Sequence, residues 1–404
     1  MNTNTNAEVL YDQYVANTYG KAPVTLVKGA GTRVWDDRGN SYLDFVSGIA
    51  VNALGHAHPT WVRRISEQAA QIAHCSNLYR NETQGQLAEK LVALAGGRKK
   101  LFFCNSGTEA NEALIKLARL YGRSRADGVE GKCYKILCAE HAFHGRTFGG
   151  MAATPQEKIQ GGFRPMLEGF AFARYNDLAS FEAMIDDQTC AIFLETVQGE
   201  GGVVPATNAF LQGIRALCDK HGLIFMLDEV QCGAGRSGTY FAYQQFDVQP
   251  DAVGMAKGIA GGFPMGAIWM NSALADLLKP GSHGSTFGGN ALAAAAALAT
   301  LEVIEQEKLL ENVQTLSSEF IPKLNALVQK YPQQLTGIRG MGFMLALCIK
   351  SDPVAMTQKL LAKGLLTVRA GTDAVRLLPP LNVKREELDE ALQIIEQCLQ
   401  EAAT

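Results

Sequence analysis

The sequence predicts an α/β protein: a large domain with a mainly parallel sheet flanked by helices, and a smaller α+β domain at the C-terminal end. Three observations point there. Short β-branched or aromatic runs alternate with helical patterns through the first two-thirds of the chain, and such alternation marks parallel βαβ units. After Asn290 the alternation gives way to a long helical stretch and then closely spaced strand-like runs. Several of the earlier strands close on polar residues, which is where open α/β sheets bind ligands.

In chain order, "KGAGTRVWDDRGNSYLDFVSG" (28–48) reads as a small β-meander with Gly turns, within an N-terminal segment (1–57) expected to pack on the C-terminal module. The large domain spans 58–290. In it "KKLFFCN" is a strand running into the helix "SGTEANEALIKLARLYG", and "YKILCAE" and "CAIFLETVQ" are further strands. "NAFLQGIRALCDKHG" is a helix with an Asn cap and a Gly stop, feeding the strand "LIFMLDEV". The small domain (291–404) opens with one helical stretch to about Tyr331. Strand-like "LTGIRGMGFMLALCI", helical "VAMTQKLLAKG", strand-like "LLTVRAG" and "AVRLLPPL", and an amphipathic helix over 385–402 follow.

Composition narrows the functional classes. The 404 residues carry a net charge of −3, with 47% hydrophobic and 19% charged side chains. That balance gives no electrostatic reason to expect nucleic acid or an anionic membrane as partner. The nine cysteines form no CxxC pair and mostly sit in apolar runs, as reduced core residues of a cytoplasmic protein do. The start lacks a basic and then apolar leader, and the longest uncharged apolar run, "ALAAAAALATL", is too short to span a bilayer.

Four stretches carry chemistry. "AKGIAGGFPMGA" (256–267) holds one charged side chain, Lys257, among glycines and apolar residues. It is either a surface turn with its lysine in water or a desolvated amine of lowered pKa, able to form a Schiff base. "NSGTEANEA" puts Ser106, Gly107 and Thr108 at a strand-to-helix turn, a phosphate cradle or a plain N-cap. "LIFMLDEVQ" ends a buried strand on Asp228 and Glu229, where a carboxylate needs a partner such as a pyridinium N–H; Gln231 could reach a ring oxygen. In "EHAFHGRTFGG", Phe143 is either a core aromatic or a face for a ring to stack on.

Two further patterns point elsewhere and weakly. "GAGRSG" (233–238) has the form G-x-G-x-x-G, but "DEVQC" separates it from the strand and no good helix start follows, which argues against a dinucleotide. His56, His58, His141 and His144 lie in H-x-H and H-x-x-H spacings without a cysteine pair, so no catalytic metal is expected.

Together "NSGTEAN", "AFHGR", "LDEVQ", "AKGIAGGFPMGA" and "GSTFGGN", in this order over nearly the whole chain, resemble the class III (ω-amino acid) aminotransferases. The resemblance implies fold type I and pyridoxal 5′-phosphate, held covalently by Lys257 with Asp228 at its ring nitrogen and Gln231 at its ring oxygen. It implies Ser106, Gly107 and Thr108 at the phosphate and Phe143 against the ring. Glu229 and Val230, between Asp228 and Gln231, are expected to border the cofactor too. Thr286 would reach the phosphate of a neighbouring subunit, which implies a homodimer with shared sites. Arg146 and Ser285 match residues for the acylated end of the substrate. Arg376 matches the arginine that grips a 2-oxoglutarate carboxylate, and Glu200 the acid that pairs with it and swings away.

Within the family, "GIAVNALGHAHP", "HCSNLYRNE", "QGEGGV" and "STFGGN" imply N2-acetyl-L-ornithine as amino donor and 2-oxoglutarate as acceptor, in arginine biosynthesis. Succinylornithine, succinyl-diaminopimelate, ornithine and 4-aminobutyrate stay open as donors, and so does an aminomutase that needs no external keto acid.

Overall fold

The computed structural model describes residues 7–20 and 22–401. Among these, seven strands make the large sheet: β1 (Lys99–Cys104), β2 (Lys135–Ala139), β3 (Phe170–Ala173), β4 (Thr189–Glu195), β5 (Ile224–Asp228), β6 (Ala252–Met255) and β7 (Gly266–Asn271). Their spatial order is β1-β7-β6-β5-β4-β2-β3. From β6 to β3 every neighbouring pair is parallel. β7 runs antiparallel to both β6 and β1.

β4 and β5 are buried along their whole length, as near-continuous apolar runs require when helices cover both faces. The pleat sends alternate side chains to opposite sides. Phe225 and Leu227 pack with Phe210, Ile214 and Leu217 of helix Asn208–His221. Ile224 and Met226 pack with Leu114, Leu117 and Ala118 of helix Gly107–Arg125. Each such buried side chain contributes roughly 1.5–3 kcal/mol. Helix Asn208–His221 stops at Gly222 in the left-handed region, as expected. Its cap is Thr207 rather than Asn208: the Thr207 hydroxyl accepts from the Phe210 N–H.

The C-terminal part corrects one expectation. The helical stretch after Asn290 is two helices, Ala291–Gln306 and Leu309–Lys330, separated at Lys308 with φ of 53°. Beyond them, Leu335–Met341, Met344–Ile349, Ala374–Leu377 and Val368–Ala370 form an antiparallel sheet in that order. Helix Arg385–Glu401 closes the described chain; position 402 of the expected helix lies outside the described residues.

The N-terminal strands Leu26–Ala30, Arg33–Asp36 and Ser41–Asp44 form the expected antiparallel meander. Leu365–Leu366 joins it in parallel beside Ser41–Asp44. The chain just after Arg376 is pinned to the same segment, with Leu378 N–H donating to the Phe45 carbonyl at 2.8 Å and the Ser47 hydroxyl donating to the Leu378 carbonyl at 2.7 Å. Among the described residues, no helix is long and apolar enough to cross a membrane.

Candidate active site

The C-terminal ends of β4, β5 and β6 and the turn after β1 open into one cavity of about 230 Å3. A larger hollow of about 320 Å3 lies on the C-terminal module, lined by amides and lysines such as Gln333, Lys350 and Lys359. The chemistry collects in the smaller one.

Lys257 follows β6 in a left-handed turn, φ 48°, and its side chain lines the cavity. Burial lowers its pKa, and the Arg376 charge lowers it further against the opposing pull of Glu200, Asp228 and Glu195. Of the two sequence readings, the amine withheld from bulk water is the one observed.

Asp228 closes β5 and is 4% exposed. Its Oδ2 accepts from Asn111 Nδ2 at 2.7 Å and His144 Nδ1 at 2.9 Å; its Oδ1 accepts from the Val230 N–H at 2.9 Å. His144 is fully buried and stacks on Phe193 at 4.0 Å. With three donors around it, this carboxylate is oriented and kept as an acceptor. Sequence reading did not single out Asn111 as its partner. The signal was present: Asn111 lies four residues after Gly107 on one helix, hence on the same face.

At the turn after β1, Ser106 caps helix Gly107–Arg125, its hydroxyl accepting from the Glu109 N–H at 3.3 Å. Gly107 and Thr108 line the cavity. The first N–H groups of a helix have no acceptor within it, so this end suits an anion. A Cβ on Gly107 would stand 2.6 Å from Val230 Cγ1, which explains a glycine here. The Thr108 hydroxyl is fixed by the N–H groups of Arg146 and Thr147, each at 3.2 Å. Phe143 lines the same cavity, with the exposed Arg146 guanidinium 5.9 Å from its ring centre.

Arg376 is buried and paired. Its Nη1 lies 2.8 Å from Glu200 Oε1 and donates to Gln231 Oε1 at 2.7 Å. Glu200 keeps 29% of its side chain exposed and lines the cavity. Burial by itself would raise the Glu200 pKa, but the charge and hydrogen bond of Arg376 outweigh it, and the net shift is downward.

Three expected residues stand apart from this cavity. The Glu229 carboxylate turns to the other side of the strand end and accepts from the Thr196 hydroxyl and the Ala242 and Tyr243 N–H groups, with burial pushing its pKa up to about 7. As the residue after Asp228 it turns its carboxylate away from this cavity. Ser285 accepts from Asn105 Nδ2 and the Gly288 N–H, and Thr286 is exposed. One residue that sequence reading missed lines the cavity beside Asp228: Glu195, at the end of β4.

Comparison with known proteins gives the family. A family model described as aminotransferase class-III matches residues 14–399. The acetylornithine aminotransferase of Caldanaerobacter subterraneus subsp. tengcongensis is 47% identical over 390 residues, 96% of this chain and 98% of that one. The succinylornithine transaminase of Salmonella typhi is 43% identical over 387 residues, 95% of this chain and 93% of that one. The crystal structure of ornithine aminotransferase from Toxoplasma gondii ME49 superposes with a TM-score of 0.94 at 30% identity, covering 98% of this chain and 94% of that one.

Proposed function

The chain belongs to the class III aminotransferases, and from that premise we propose that it transfers the terminal amino group of N2-acetyl-L-ornithine to 2-oxoglutarate, giving N-acetylglutamate 5-semialdehyde and glutamate. Enzymes of this class use pyridoxal 5′-phosphate, and the cavity has the donor set for it. Lys257 would hold the aldehyde, Asp228 the ring nitrogen, Gln231 and Val230 the ring edge, Phe143 one ring face, and Gly107 and Thr108 the phosphate. Bound there, the cofactor supplies the electron sink for a carbanion at the carbon that carries the amino group.

The chain's own residues do the rest. Lys257 Nζ moves a proton on and off that carbon, which needs a free amine near neutral pH; burial and Arg376 favour the uncharged form. Asp228, fixed by Asn111 and His144, would present a carboxylate oxygen to the ring nitrogen. Arg146 takes the distal carboxylate of the donor at the cavity mouth. Arg376 reads the carboxylate next to the reacting carbon of 2-oxoglutarate, a bidentate match for a guanidinium. When the donor presents an uncharged chain there, Glu200 keeps Arg376 paired, since an unpaired buried charge costs roughly 3–5 kcal/mol.

The observation that carries the reading is this ion pair, one partner buried and the other part-exposed, beside a cavity that also holds a desolvated lysine. A succinylated donor is the second reading, supported by the identity to the succinylornithine transaminase. Thr286 and Ser285, off this cavity, serve the site of a second copy in a homodimer; their place on a partly exposed loop with Phe287 supports this. The enzyme acts in the cytoplasm, consistent with nine unpaired cysteines. Its domains are 1–57, 58–290 and 291–404, the first and last drawn together by the pairing of Leu365–Leu366 with Ser41–Asp44.

Glutamate formation from a panel of ω-amines with 2-oxoglutarate tests the proposal. We expect the highest kcat/KM with N-acetylornithine, and neither turnover nor a covalent cofactor absorbance in Lys257→Ala. A higher kcat/KM with ornithine or 4-aminobutyrate would refute the substrate assignment.

A further inference from the structure

Glu195 has no role in the scheme above, yet it faces the cavity alongside Asp228. The two acids are register partners at the ends of the adjacent parallel strands β4 and β5, so their side chains leave the sheet on the same face. Glu195 is 6% exposed, and burial, reinforced by the Asp228 charge, pushes its pKa up to about 8. A buried acid held next to another acid needs specific donors. It has two, from different loops. Oε1 accepts from the Phe143 N–H at 3.0 Å, and Oε2 accepts from the Gly199 N–H at 3.0 Å.

Each loop carries a working part of the site. Phe143 presents its ring to the cavity. Gly199 directly precedes Glu200, the partner of Arg376. Gly199 also lies so close to Gln231 that a Cβ there would stand 2.6 Å from Gln231 Oε1, the oxygen that accepts from Arg376. The two loops touch independently as well, since Gln198 Nε2 donates to the Glu140 carbonyl at 2.8 Å, and a Cβ on Gly201 would stand 2.9 Å from the His141 carbonyl oxygen.

We propose that Glu195 is a positioning residue that keeps the Phe143 ring face and the Glu200–Arg376 pair in register, one carboxyl oxygen setting each. The Phe143 arm rests on the cavity geometry alone. The Glu200 arm rests on the aminotransferase reading above. Each Glu195 oxygen accepts from a backbone N–H, whereas a glutamine side chain offers one acceptor and one donor. Glu195→Gln therefore keeps one loop and repels the other N–H, while Glu195→Met releases both.

Two readouts on the holoenzyme separate positioning from plain stability. The first is pyridoxal phosphate affinity with visible circular dichroism, taken without any amino substrate. The second is the ratio of single-turnover rates with N-acetylornithine and with glutamate. We expect about a tenfold change, the size of one hydrogen bond, in one readout for Glu195→Gln and in both for Glu195→Met. Thermal melts of the apoenzymes accompany both. A Glu195→Met enzyme with wild-type dichroism, cofactor affinity and rate ratio overturns the proposal. So do losses that only follow the unfolded fraction. Should the wild type prefer another ω-amine, the substrate reading fails by itself, and the second readout is taken with that amine against glutamate.

Discussion

Two arginines are buried to almost the same degree, Arg376 at 1% and Arg236 at 2% exposure, and their surroundings differ in kind. Arg376 meets chiefly side chains: a carboxylate that stays part-exposed and an amide oxygen, with the Arg369 carbonyl a longer contact of its Nη2 at 3.4 Å. Arg236, in the "GAGRSG" turn, meets backbone: its Nη1 donates to the carbonyls of Phe343 and Pro379. Its Nη2 has no partner among the described residues, and burial pushes its pKa down to about 10. A side-chain acid can rotate away and yield its place to a ligand; a peptide carbonyl cannot. In the proposed scheme one arginine exchanges partners while the other holds still. They also sit close along the chain of contacts, because Pro379 lies three residues beyond Arg376. The fixed cation steadies the strand end that carries the exchangeable one.

Substitution can break or sharpen this contrast. The largest effect belongs to Arg376→Ala: we expect kcat/KM for 2-oxoglutarate to fall about 1,000-fold, near 4 kcal/mol, with the N-acetylornithine half-reaction changed far less. Single-turnover rates with each substrate measure it, and equal losses would remove the exchange role. Next is Arg236→Ala, which should lose about 3 kcal/mol of stability in denaturant titrations through a cavity and stranded carbonyls. Its ratio of half-reaction rates should stay at the wild-type value; a shifted ratio without a stability loss would reverse the two assignments.

The smallest effect is set by pH. Glu200 has its pKa below the ordinary 4.5, so its contribution to stability is complete above 4.5 and disappears as pH falls through the lowered folded value. Glu200→Gln removes that linkage, so its stability should fall less steeply than wild type in melts taken as pH drops below 4.5. Arg236→Ala, whose cation bonds to carbonyls and meets Asp44 only through space, should change that slope less than Glu200→Gln does. A Glu200→Gln curve parallel to wild type would mean that the ion pair does not form in solution.

Much of this was legible in the sequence where one strong local rule applies. Asp228 closes an apolar strand, so its burial follows from its neighbours; Lys257, alone in a glycine-rich turn, reads as readily as a surface lysine until the other motifs are set beside it. The strand–helix alternation showed β1, β2, β4 and β5, but not β3, β6 or β7, nor that β7 would enter antiparallel. Other features needed three dimensions. Glu229 was grouped with Asp228 by adjacency, while strand pleating sends it to the opposite side. Lys308 breaks the helix in a left-handed conformation without glycine or proline to announce it. Glu195 ends "CAIFLE" much as Asp228 ends "IFMLD", but only the register of β4 against β5 reveals that the two acids are neighbours. His144 could be noticed as a histidine, yet its bond to Asp228 joins residues 84 apart.

The strand order carries a consequence for synthesis. β1, which delivers Gly107 and Thr108, lies at one edge of the sheet, and its neighbour there is β7. Lys99 and Asn271, bonded at that seam, are 172 residues apart. On a translating ribosome adding about 5–20 residues per second, roughly 10–30 s pass between the two. Throughout that interval β1 has no strand partner in the nascent polypeptide, which leaves the segment leading to Gly107 and Thr108 open to chaperones.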